Sequence, residues 1–303
     1  MKKVLMLAAL IVTVVLCSWL AEEALAAARG RLLFVPQDDG AAAGVEMEAA
    51  CRALGYEVVM PPAELLSGGG GKPGQPDKLW AWMRANICGA EAAMVSADAM
   101  IYGGLDRSRK HELAEALLAQ RAEQFEVLHE QHPETSFYVY SSLLRMPRSG
   151  KQAGRGEPAY YREYGADIFA AAALADKREL QGLTAAEQVA LGRHIQAVPP
   201  DIWQDWQARR DKNLSVNRRL IDFTRRGIFR CVLIGKEEDA PLSQTNREGR
   251  ILTAYAQGLP ETQFQLLSGS DGLGGLLLGR VRHDVILRQD SITYFYGDNA
   301  FET

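Results

Sequence analysis

Residues 31–39 read Arg31-Leu32-Leu33-Phe34-Val35-Pro36-Gln37-Asp38-Asp39. A short apolar run closed by proline and then by amide and carboxylate side chains is the pattern of a strand buried on both faces, with polar groups at its carboxyl end. The pattern recurs. Tyr56-Glu-Val-Val-Met60 is stopped by Pro61-Pro62, Ala92-Ala-Met-Val-Ser96 leads into Asp98, and Ser136–Ser141 leads towards Ser142 and Arg145. Arg230–Gly235, Gln263–Leu267 and Ile292–Tyr296 complete seven candidate strands. Amphipathic helical stretches separate them: 41–54, one capped by Asp77, a continuous charged helix over 107–131, 244–258 and 271–284. Strands alternating with helices predict an α/β fold with a mostly parallel, doubly wound sheet. The alternative is a (β/α) barrel, which usually has eight strands. Residues 159–228 read as helical throughout, with the last helix starting at Pro199-Pro200. They are expected as an inserted block or lid within a single domain over 27–303.

The amino terminus has its own logic. Met1-Lys2-Lys3 is a positive start, and Val4–Leu20 is apolar apart from Thr13, Cys17 and Ser18. Ala24-Leu25-Ala26 supplies the small-x-small pattern of signal-peptidase sites, so residues 1–26 read as a secretory signal cleaved after Ala26. The apolar run also approaches the roughly 17–25 residues that span a bilayer, so an uncleaved anchor is the alternative. Leu16 before Cys17 argues against lipid modification. A secreted or periplasmic location is expected, with membrane contact only if the signal stays.

The net charge of −4 is unchanged by that cleavage, which removes Lys2, Lys3, Glu22 and Glu23 together. Such a domain has no bulk attraction for nucleic acid. Cys51, Cys88 and Cys231 form no complete disulfide framework and no zinc spacing, so buried free thiols are expected. Ser67–Pro76 is glycine-rich but lacks the phosphate-loop order, and Gly269–Gly275 lacks the dinucleotide order. No cofactor is expected, although clustered carboxylates also suit a divalent metal such as Mg²⁺ or Ca²⁺.

Both architectures bring ligands to the carboxyl ends of parallel strands. The residues there are Asp38 and Asp39, Asp98, Glu237 and Glu238, and Asp271. Carboxylates gathered on one rim cannot all ionise cheaply, so one can remain a proton donor near neutral pH. Helix capping alone is the competing role for Asp39, Asp98 and Asp271. Arg210, Asn213 and Asn217 share a helix face, and with Tyr102 and Arg145 they are candidates for holding a substrate.

Six stretches occur in an order that resembles the bacterial domain-of-unknown-function family 4127. They are Phe34–Asp39, Ser96-x-Asp98-x-x-x-Tyr102-Gly-Gly104, Leu144–Pro147, Arg209-Arg-x-x-Asn213-x-x-x-Asn217-Arg218, Gly235-x-Glu-Glu-x-Ala-Pro241 and Gly269-x-Asp271. Departures are specific. Gly40 and Ala41 stand where the family has Arg and Pro, Lys236-Glu237-Glu238 replace Gln-Asp-Asp, and Gly272 replaces a Glu. The resemblance implies a shortened and partly divergent member. It brings no reaction with it.

Export, the acidic rim and the absence of cofactor motifs lead to one expectation: a hydrolase acting on a glycan or other small carbohydrate. Asp38, Asp39, Asp98, Glu237, Glu238 and Asp271 would supply its acid, base or nucleophile. Tyr102, Arg145, Arg210, Asn213 and Asn217 would hold its substrate. The alternative is a non-catalytic exported binding protein for a sugar or similar polar ligand. The mature protein from an exporting host is expected to begin at Ala27. An intact mass that retains residues 1–26 would assign them as an anchor instead.

Overall fold

The computed structural model describes residues 30–68, 72–146, 156–238, 240–270 and 272–286. The expected signal segment, Asp271 and the expected strand at 292–296 lie outside them. The described strands are β1 (Gly30–Val35), β2 (Tyr56–Val59), β3 (Ala90–Ser96), β4 (Ser136–Ser142), β5 (Phe229–Lys236) and β6 (Phe264–Ser268). The helices are α1 (Ala41–Ala53), α2 (Pro76–Asn86), α3 (Leu105–Lys110), α4 (Glu115–Gln131), α5 (Tyr161–Gln181), α6 (Ala185–Ala197), α7 (Pro200–Arg225), α8 (Gln244–Tyr255) and α9 (Leu273–Val281).

The strands form one sheet in the order β2-β1-β3-β4-β5-β6, parallel at every pairing. Among the described residues the sheet is open, with β2 and β6 at its edges. The fold is α/β, and the order reverses once, at β1. Right-handed crossovers then dictate which face each helix covers. The β1-to-β2 crossover runs one way along the sheet, and every later crossover runs the other way.

The packing follows that geometry. Leu33, Val35, Ala93, Val95, Phe137, Val139, Val232 and Ile234 point to one face, against Leu79 and Met83 of α2, Phe125 of α4, Leu220 of α7 and Leu252 of α8. Leu32, Phe34, Met94, Tyr138, Tyr140 and Leu233 point to the other, against Met47 and Cys51 of α1 and Leu273, Leu277 and Val281 of α9. The alternation of strand residues between faces produces the two sets. α1 alone cannot cover the second face. α9 leaves the β6 edge and returns over β3, β4 and β5 to meet α1.

Between β4 and β5 the chain forms α5, α6 and α7. α7 lies on the sheet beside β5 and α4, while α5 pairs with α6. A separate apolar cluster of Met146, Tyr161, Ile168, Val198 and Trp206 holds this block together.

Three expectations are corrected. The continuous helix over 107–131 is two helices, broken at 111–114. Leu113 N–H turns to the Nδ1 of buried His111 at 3.2 Å. Arg209 and Lys212 of α7 donate to the carbonyls of His111 and Leu113. Tertiary donors thus take carbonyls that would otherwise continue the helical ladder. Asp77 does not cap α2, which starts at Pro76 with no side-chain cap. Its carboxylate instead accepts two hydrogen bonds from Arg121, at 3.2 and 3.3 Å. Among the described residues Cys51, Cys88 and Cys231 are free, but only Cys51 and Cys231 are buried; Cys88 is exposed. Among the described residues no helix is long and apolar enough to cross a membrane.

The carboxyl end of β5 meets the β6–α9 loop closely. A Cβ at Gly235 would lie 2.5 Å from the backbone oxygen of Gly269. Gly269 N–H bonds back to Lys236 O at 2.6 Å, so neither backbone can give way easily. Gly235→Ala is therefore expected to cost about 1–3 kcal/mol by overpacking. Calorimetry should show its Tm lowered by several degrees, and an unchanged Tm would refute the close approach.

Candidate functional site

The single reversal of strand order puts a crevice at the carboxyl ends of β1 and β3, the place where doubly wound sheets bind ligands. β1 delivers Gln37 to it. β3 delivers Asp98, at the start of a wide π-type turn over Asp98–Tyr102. Such turns concentrate at functional sites. The turn is closed by Gly103 and Gly104, with φ of 87° and 116°, a region that favours glycine. A Cβ on Gly104 would also strike the Ser67 hydroxyl at 2.1 Å. The Tyr102-Gly-Gly104 sequence is thus explained by backbone geometry.

Asp98 is fully buried. It caps no helix: the π-type turn has no side-chain cap, and Ser96 Oγ accepts from Ala99 N–H instead. Gln37 Nε2 donates to Asp98 Oδ2 at 3.2 Å and to Ser142 Oγ at 3.1 Å. Oδ1 is buried with no hydrogen-bond partner. Burial pushes the carboxyl up to about 7. The nearby Ser142 hydroxyl, the Gln37 hydrogen bond and the Arg109 charge oppose the shift, and the Glu237 charge adds to it. Because Gln37 donates to Oδ2, the proton of the neutral form belongs on Oδ1.

Around this carboxyl lies a ring of paired charges. Arg109 bonds Glu237 at 2.5 Å, and Arg145 bonds Glu157 at 2.5 Å. Arg109 also approaches Glu157 at 3.7 Å and Arg145 approaches Glu237 at 3.8 Å. Ser270 from the β6–α9 loop donates its hydroxyl to Glu237 at 2.7 Å. The Glu237 side chain keeps 18% of its surface exposed, so it can still meet a ligand.

The other candidates separate into those that build the site and those that stand apart. Arg210 is buried, with donors on Glu248 at 2.7 Å for both oxygens, on Leu144 O and on Thr245. Glu238 accepts from Met146 N–H at 3.1 Å and from Thr245 at 3.2 Å. Arg210 ties α7 to α8 and to the segment after β4, and Glu238 ties α8 to that same segment. Asn213 donates to Ser142 O and receives Asn217 Nδ2 on its own side-chain oxygen, at 3.2 Å each. Asn217 Oδ1 is buried and unpartnered. Tyr102 is buried beside Asn213, with burial first and the Asp98 charge second in pushing its hydroxyl up. Asp38 is exposed and accepts from Gly40 N–H at 2.9 Å. Asp39 is half-buried, against Gly68.

Sequence reasoning missed Gln37, Arg109, His111, Ser142 and Glu157. His111 stacks on Tyr102 with ring centroids 4.9 Å apart. Burial, then the charges of Arg209, Lys212 and Arg107, push its imidazole down to about 4. Since Leu113 N–H donates to Nδ1, the ring proton sits on Nε2, which has no partner. The polar residues following Val35 and Ser141 were a usable signal for Gln37 and Ser142. Nothing local marked Arg109 or Glu157.

A cavity of 590 Å³ opens beside the network, between α1 and α9. Gln37 and Ser270 both line it, so Asp98 and Glu237 are each one hydrogen bond from the cavity. Among the described residues no group of three or more His, Cys, Asp or Glu side chains is placed to hold a metal ion.

A family model described as a protein of unknown function (DUF4127) matches residues 32–303. No curated protein and no solved structure matches the chain.

The raised Asp98 value has a sign that can be measured. The unfolded chain ionises this carboxyl near its ordinary value of 3.8, while the folded chain keeps the proton until about 7. The folded state therefore binds more protons between those values, and wild type loses stability there as pH rises. Compared with Asp98→Asn by chemical unfolding, wild type is expected to lose ground from about pH 4 to about pH 7 and then hold level. A difference independent of pH would mean an ordinary carboxylate.

Proposed function

The chain belongs to the DUF4127 family, proteins of unknown function, and from that premise we propose that it is an exported hydrolase of a small carbohydrate or glycan, with Asp98 as its proton donor. The carrying observation is the fully buried Asp98 carboxyl with one oxygen unpartnered, which burial pushes up to about 7. Export rests on residues 1–26.

Glycoside hydrolysis needs a carboxylic acid and a carboxylate. In this reading Asp98 Oδ1–H protonates the departing glycosidic oxygen as its bond to the anomeric carbon breaks. Glu237 takes a proton from the water that adds to that carbon. Solvent then takes the proton from Glu237 and returns one to Asp98. The pairing is supported by opposite environments: burial keeps Asp98 neutral, and Arg109 and Arg145 compensate the Glu237 charge. Asp98 is enclosed, and Gln37, which lines the cavity and bonds Oδ2, is the side chain that links it to that space.

A second reading, a binding protein without turnover, has one observation in its favour. Both Arg109 and Ser270 already occupy Glu237 Oε1. The two readings part in a screen of the mature protein against a glycoside and glycan panel. Asp98→Asn is expected to lower kcat by about 10²–10⁴, the usual contribution of a general acid, while Asp39→Asn keeps most activity. Full activity in Asp98→Asn would end the hydrolase assignment to this carboxyl. Saturable binding by wild type without any product would favour the second reading.

A further inference from the structure

The cavity between α1 and α9 has two unlike sides. Phe34, Met47, Leu273 and Leu278 are buried side chains that form an apolar wall. Gln37 and Ser270 form the side next to Asp98 and Glu237. Tyr140 also lines the cavity, presenting a ring whose hydroxyl is held near Ser96. The mouth carries Asp38 and Glu46, both exposed. A sugar is polar around its edge and needs no such wall. Two carboxylates at the mouth disfavour an anionic ligand.

We infer that this cavity is a subsite for the apolar aglycone of an uncharged glycoside, with the sugar lying towards Gln37 and Ser270. The inference rests on the reading of Asp98 and Glu237 as the reacting pair. The size fits: 590 Å³ falls within the roughly 300–1,000 Å³ of small-molecule sites. An aryl or short alkyl group lying against Met47 and Leu278 would bury its own apolar surface, which favours binding in proportion. The bond to be broken would then sit where the apolar wall gives way to the polar side. There the leaving oxygen, released as an alcohol, receives its proton. The preference is thus for the leaving group and is separable from the identity of the sugar.

The test uses the neutral fluorophore N-phenyl-1-naphthylamine with the mature protein. It is expected to bind, and 4-nitrophenyl glycosides are expected to displace it at concentrations at least tenfold below those of methyl glycosides of the same sugars. Ala50→Phe and Leu278→Trp fill the cavity from opposite helices. Each is expected to weaken fluorophore binding at least tenfold, and one suffices if the other does not fold. No fluorophore binding, equal displacement by both glycoside series, or unweakened binding in the filled variants would overturn the subsite. Failure of hydrolysis with the aryl preference intact would overturn the catalytic reading alone.

Discussion

The handedness of parallel crossovers is the constraint on which this structure depends. A sheet that turns back once, at β1, must place α1 on one face and all later crossover helices on the other. Two consequences follow from that single reversal. The carboxyl ends of β1 and β3 part to leave a crevice, and the second face lacks cover over β3, β4 and β5. α9 supplies the cover by running back from the β6 edge to α1. The cavity lies where those two helices meet. The binding space and the crevice are thus neighbours for a topological reason.

The polar chemistry at that edge is arranged around burial. Burial with no cation bonded directly to it favours the neutral form of a carboxyl, and it pushes Asp98 up to about 7. Glu238, also buried, is raised by the same cause, whereas other acids nearby lie against cations: Glu237 against Arg109, Glu157 against Arg145, and Glu248 against Arg210. Pairs of this kind contribute little net stability, because desolvation offsets attraction, but each is costly to break. Their use here is positional. Arg210 and Glu248 clamp α7 to α8, while Asn213 holds the end of β4. The helical block therefore bears on the crevice through fixed contacts.

Much of the fold was legible because parallel strands buried on both faces write themselves as apolar runs. Leu32–Val35, Ala92–Val95 and Val232–Ile234 could be read directly. The elements that departed from expectation did so through distant partners. The break at His111 depends on Arg209 and Lys212, almost a hundred residues later. The role of Asp77 depends on Arg121. Of the candidate acids, Asp98 stood out only as one member of a rim; nothing in its neighbourhood along the chain distinguishes it from Asp38, which is exposed. Arg210 shares a helix face with Asn213 and Asn217, as its spacing said, yet its donors are taken by Glu248.

The sequence by itself determined the class of fold, the strand positions and the loops that end at the carboxyl edge, because hydrophobic periodicity is a local property. It also carried the family, through short motifs that follow one another along this chain. The tertiary structure alone decided which carboxyls burial raises, which arginines are consumed in pairs and where an open space remains. Those outcomes depend on burial and on contacts between residues far apart in the chain. Pairing across that separation is invisible to any reading that moves residue by residue.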